Sequence, residues 1–133
     1  MRKKLIFSSL LLLFSCSNIN ASVLLNAEIC EVSIGNNSEK MQLSPPCSLV
    51  KTENGKQNFF QFNESKIYII SGAPVKLDKL KRWAVKESDS CSLEYQAVIV
   101  VKNKLSISEV KYNGLVCPNI GLDEKSYQQF VQD

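Results

Sequence analysis

The 133-residue chain carries 16 Lys+Arg and 13 Asp+Glu; Arg2, Lys3 and Lys4 stand at its start, so beyond residue 21 the charges balance. A neutral domain lacks the basic surface that nucleic-acid binding demands. The absence of any histidine removes the commonest general base, the usual activator of a nucleophile and most zinc or haem sites, and five glycines leave little room for a phosphate-cradling loop.

Residues 1–21 read as a secretory signal peptide. Arg2 to Lys4 form a positive n-region, Leu5 to Phe14 is apolar except for Ser8 and Ser9, and small polar residues follow up to Ala21. The apolar run is far shorter than the roughly 20 residues a bilayer span needs. Cleavage after Ala21 leaves residues 22–133 as a single domain. An alternative is written in Leu13-Phe14-Ser15-Cys16, which resembles the lipobox of bacterial lipoproteins, although Phe14 is bulky for its position. In that case Cys16 is lipidated and becomes the new N-terminus, and the membrane is then a partner through that anchor alone.

Cys30, Cys47, Cys91 and Cys117 remain, an even number in a small exported chain, which predicts two disulfides. Zinc would want close Cys-x-x-Cys pairs, which are missing. Cys30, Val32 and Ile34 alternate with polar residues as in a half-buried strand, and Gly35 to Ser38 closes it as a turn. Met41 and Leu43 suggest a short strand stopped by Pro45-Pro46, and Glu53 to Lys56 suggests a hairpin turn. Gln57 to Phe62 and Lys66 to Ser71 are expected as strands on their aromatic and β-branched content. Leu77, Leu80, Trp83 and Ala84 recur at helical spacing and predict a short helix from about Leu77.

The clearest signal is the alternation Cys91, Leu93, Tyr95, Ala97, Ile99 and Val101, with Val98 and Val100 making the end of the strand apolar on both faces. Lys102 to Lys104 turns the chain, and Leu105 to Tyr112 returns as its partner, ended by Asn113-Gly114. A turn centred near residue 104 sets Cys91 opposite Cys117, at the close approach of a non-hydrogen-bonded antiparallel pair. This predicts Cys91–Cys117 and, by elimination, Cys30–Cys47. A final helix is capped by Asp123, with Leu122 and Tyr127 as its hydrophobic staple and Tyr127, Phe130 and Val131 as its apolar stripe. The expected class is α+β: one small antiparallel sheet of five or six strands, one or two short helices, two disulfides.

No catalytic set, cofactor site or metal site emerges. Asp78, Glu87, Asp89 and Glu94 are the carboxylates one would try to pair, but glycosidase chemistry needs two of them across a cleft that a chain of this size builds with difficulty. Cys47 beside two prolines and Cys117 before Pro118 read as structural thiols, since no histidine stands ready to activate them. The one local charge concentration is Lys76, Lys79, Lys81 and Arg82 beside Trp83, with Lys86 just beyond. It reads either as an amphipathic element with Trp83 in the core or as a contact patch for an acidic protein partner. Export, two disulfides and no chemistry together point to a periplasmic or secreted binding protein. The expectation is a non-enzyme that inhibits a partner enzyme, as an immunity protein does for a periplasm-acting toxin. An envelope lipoprotein tethered through Cys16 is the second expectation and a small secreted hydrolase the third.

Overall fold

The computed structural model describes residues 22–131, so the expected signal peptide and Cys16 lie outside the described residues. Strands β1 (Leu24–Asn26), β2 (Glu31–Ile34) and β3 (Asn37–Lys40) form an antiparallel meander. Its second turn is shorter than the sequence suggested: Gly35 and Asn36 alone make it, Gly35 at φ +56°, and Asn37 already pairs with Ile34. Val32 and Ile34 are buried while β3 is exposed throughout. Met41 and Leu43 are buried without forming a strand.

The remaining strands are β4 (Ser48–Leu49), β5 (Phe59–Phe62), β6 (Ser65–Ser71), β7 (Ser92–Val101), β8 (Lys104–Ile107) and β9 (Lys111–Val116). They build a second antiparallel sheet in which β6 and β7 are central. β4 and β5 both pair with β6, at its two ends, and β8 and β9 divide β7 in the same way. The single expected sheet is therefore two sheets, and the described residues are mostly β with one short α-helix, α1 (Glu124–Gln128).

Both faces of the larger sheet are covered, which explains why β6 and β7 read as nearly continuous apolar runs. Tyr68, Ile70, Val98 and Val100 meet Val32, Ile34, Met41 and Leu43 from the small sheet and the segment after it. On the opposite face Ile67, Ile69, Ala97 and Ile99 pack against Tyr127 and Phe130. Gln96 is fully buried on the first of these faces, and its amide is satisfied on both sides. Its Nε2 donates to the Ser108 carbonyl at 2.6 Å and its Oε1 accepts from the Gln42 amide at 2.9 Å. A buried amide without partners would be costly, so this residue fixes both neighbouring segments against β7.

Both expected disulfides are present, with Cα atoms 5.3 Å apart for Cys30–Cys47 and 4.1 Å apart for Cys91–Cys117. They place maturation of the fold in an oxidising compartment. The second forms for a reason the sequence did not show. The turn is at Lys102 and Asn103, both in the left-handed region at φ +49° and +62°, rather than centred on residue 104. With Val101 opposite Lys104, that turn alone would leave Cys117 out of register. The bend after Ile107 then shifts the pairing to Tyr95 opposite Lys111, and a bulge shifts it again to Ser92 opposite Val116. The expected partner strand is thus broken into β8 and β9, and the inserted residues bring Cys117 to Cys91. At the break, the Ser108 hydroxyl accepts from the Ala97 amide at 2.9 Å and substitutes for the ladder.

The C-terminal helix starts as expected. Asp123 accepts from the Ser126 hydroxyl at 2.7 Å and from the Ser126 amide at 3.0 Å, and these bonds hold its carboxyl below the usual carboxylate range. The segment leading to it is clamped to residues 51–53: Leu122 donates to the Lys51 carbonyl and Glu53 donates to the Leu122 carbonyl. Gly121 makes this possible. It sits at φ +88°, and a Cβ there would lie 2.7 Å from the carbonyl oxygens of both Lys51 and Thr52. Gly121→Ala is expected to destabilise the fold by about 1–3 kcal/mol, read as a lower thermal midpoint. An unchanged midpoint would mean that this clamp is dispensable.

Candidate functional site

The chain between β6 and β7 carries the basic patch, and it is shaped by what it covers. The expected helix over this stretch is absent: Leu77–Leu80 and Glu87–Asp89 are single 3-10 turns. Lys76 precedes the first of them with no side-chain cap, and an uncapped segment of this length does not sustain an α-helix in water. The apolar side chains instead gather around the second disulfide. Leu80, Cys91 and Cys117 are buried together, with Val75, Trp83, Val85, Leu93 and Leu115 packed against them. The Val75 amide donates to the Cys91 carbonyl at 2.9 Å and the Trp83 amide donates to the Leu80 carbonyl at 3.0 Å. The far end is closed by the Lys86 amide donating to the Asp89 carboxylate at 2.8 Å.

Lys76, Lys79, Lys81, Arg82 and Lys86 are all exposed on the outside of this loop. Among the described residues the one ion pair is Lys102 with Glu64, both solvated, so none of the loop cations has a carboxylate partner. Trp83 takes something from each of its two sequence readings. It is half-buried on the disulfide cluster, and the Arg82 guanidinium lies over its ring at 4.9 Å from the centroid. Such stacking holds Arg82 in place while leaving its N–H groups free to donate outward.

Beside the base of the loop is an open cleft of about 320 Å³, lined by Ser44, Pro74, Val75, Leu93, Glu94 and Tyr112 among others. Val75 and Leu93 belong both to this cleft and to the disulfide cluster, so the two features adjoin. Glu94 is half-buried there. Its Oε1 accepts from the Ser44 amide at 2.7 Å, and its side chain lies across Gly72, where a Cβ would stand 2.7 Å from the Glu94 Cγ. The Ser44 carbonyl accepts from the Ala73 amide at 2.7 Å and the Gly72 amide donates to the Glu94 carbonyl at 3.1 Å, so the floor of the cleft is held by backbone.

In the sequence Glu94 is one unassigned acid among several, and nothing there singles out Ser44 or Tyr112. A signal was present in β7. On its even-numbered face the first half is polar (Ser92, Glu94, Gln96) and the second apolar (Val98, Val100). Val98 and Val100 lie in the core that packs on the small sheet; Glu94 opens instead into the cleft.

Among the described residues, no group of three or more metal-ligating side chains comes together, and no helix is long and apolar enough to cross a membrane. No protein-family model matches the chain, and neither a curated protein nor a solved structure matches it.

Proposed function

We propose that this chain is an exported binding protein of the periplasm that occludes a partner enzyme through the loop of residues 76–86, acting as an immunity protein against a periplasm-acting toxin. The observation that carries this reading is the loop itself: exposed cations without partners, and Arg82 stacked on Trp83, all fastened to a disulfide. Arg and Trp are frequent anchors of protein interfaces, and a loop ordered before binding loses less entropy when it docks. The matching partner surface is acidic, and such complementarity acts mostly on association rate and on salt dependence. Leu13 to Cys16 supports a second reading, an accessory lipoprotein of the envelope. The intact mass of the protein from its native host separates the two, since the soluble form starts at Ser22 and the tethered form at an acylated Cys16.

The test is crosslinked capture from the native envelope, repeated with the triple variant Lys79→Glu, Lys81→Glu, Arg82→Glu. The side chains are exposed and only Arg82 gives up a contact, its stacking on Trp83, so stability should fall by no more than about 1 kcal/mol. Association with the captured enzyme should slow by about tenfold or more and lose much of its salt dependence. Equal capture by the parent and the variant would overturn the assignment of the loop as the contact surface.

A further inference from the structure

The cleft beside the loop holds a carboxylate that the protein leaves without a counter-charge. Among the described residues, no Lys or Arg pairs with Glu94, and its hydrogen bond from Ser44 engages Oε1 alone. That bond, and the close passage over Gly72, hold the carboxylate in one place and leave Oε2 to accept from a ligand. The walls are of a different character. Pro74, Val75 and Leu93 offer apolar contact, and Tyr112 stands at the rim 67% exposed, with no hydrogen bond from its hydroxyl to the described residues. An apolar passage ending on one fixed carboxylate, with an aromatic at its mouth, matches a cation carried on a hydrocarbon stem.

We infer that this cleft receives the side chain of an arginine or lysine from a protein partner, the stem lying along Val75 and Leu93 and the cationic head meeting Glu94. The inference rests on the reading of the chain as a binding protein and makes it more specific. The surface it describes has both signs of charge. A partner that fits places one basic residue in the cleft and carboxylates against Lys76, Lys79 and Arg82 on the adjoining loop. The alternation also discriminates, because an acidic side chain at the cleft would be repelled by Glu94.

The experiment is a titration of the isotopically labelled protein with N-acetylarginine amide, followed by backbone amide resonances. N-acetylcitrulline amide, which has nearly the same shape without the charge, is the control. Saturable shifts at Ser44, Leu93, Glu94 and Asn113 are expected, with affinity in the millimolar range because so small a probe makes one charge-assisted contact, to a half-buried carboxylate, and little else. The citrulline probe should produce none. Glu94→Gln keeps an oxygen for the Ser44 amide and so preserves the cleft, as an unchanged amide pattern elsewhere verifies. That variant should bind the arginine probe about tenfold more weakly. No saturable shift, equal shifts from both probes, or an unaltered affinity in Glu94→Gln overturns the inference. Partner capture that depends on the loop but comes with no response to arginine removes the cleft and upholds the loop. Arginine binding without loop-dependent capture does the reverse.

Discussion

Replacing Cys91 and Cys117 together by serine is expected to cost about 3 kcal/mol and to lower the melting temperature by about 10–20 °C. The bond closes a segment of 26 residues, and opening it returns that chain entropy to the unfolded state. The loss is not spread evenly. Leu80, Val75, Trp83 and Val85 have the disulfide as their common packing partner, and they are what orders the basic loop. The Cys30–Cys47 bond closes 17 residues, and in the entropy model its removal costs nearly as much, but it ties the first strands to the start of β4. Hydrogen exchange distinguishes the two pairs. Amides of Val75, Lys79 and Trp83 should lose protection in the Cys91/Cys117 variant well before those of Ile69 and Val98, and should fall only with global unfolding in the Cys30/Cys47 variant. If both variants expose the loop equally, the second disulfide is not what preorganises it.

This contrast shows what could be read in advance. The presence of two disulfides, the long strand expected over 91–101, the strands expected over 57–62 and 66–71 and the Asp123 cap were legible because each rests on composition or short-range pattern. Cys91, by contrast, meets Cys117 through a register that the expected turn does not set. Alternation declares a pleated surface, and an acid three residues ahead of a helical turn declares its start. What escaped depends on contacts distant in sequence. The loop over 77–89 has helical spacing on paper, but its apolar residues answer to a disulfide formed by Cys91 and Cys117. The register of the returning strand depends on a bend at Ser108 and a bulge near Asn113, and neither residue type announces an insertion. The small sheet escaped because β1 and β3 are short and mostly exposed, so that only β2 alternates visibly.

The candidate site divides along the same line. The basic loop was visible, since five cations between residues 76 and 86 stand out in a neutral chain. The cleft was not, because it is made by three separate parts of the chain meeting at one strand. Ser44 reaches Glu94 only because the segment after the small sheet is held down by Gln96, and Gly72 is small only with respect to a side chain across the sheet. Polarity in the first half of β7 was the trace it left.

Tyr127 supports the face opposite that cleft, and its truncation is expected to have the largest effect of any single substitution. Its side chain is fully buried, its ring meets Phe60 edge-on at 4.9 Å between centroids, and its hydroxyl donates to the Val50 carbonyl at 3.1 Å and lies 3.3 Å from that of Lys51. Tyr127→Ala should cost about 3–5 kcal/mol, which is comparable to the whole stability of a small domain. Tyr127→Phe keeps the ring and gives up only the hydrogen bond, at about 1 kcal/mol. Burial also pushes the Tyr127 phenol well above its ordinary value, and burial raises Tyr68 in the same direction. The folded chain therefore keeps these protons at pH values where the unfolded chain releases them. Stability from this source is intact below about pH 10 and declines as the pH rises toward the folded value. Denaturation midpoints measured from pH 8 to 11 should fall more steeply for the parent than for Tyr127→Phe, which has one such proton fewer. Parallel curves would mean that the phenol of residue 127 is not desolvated in the native state, and the packing of α1 on the sheet would then need a different account.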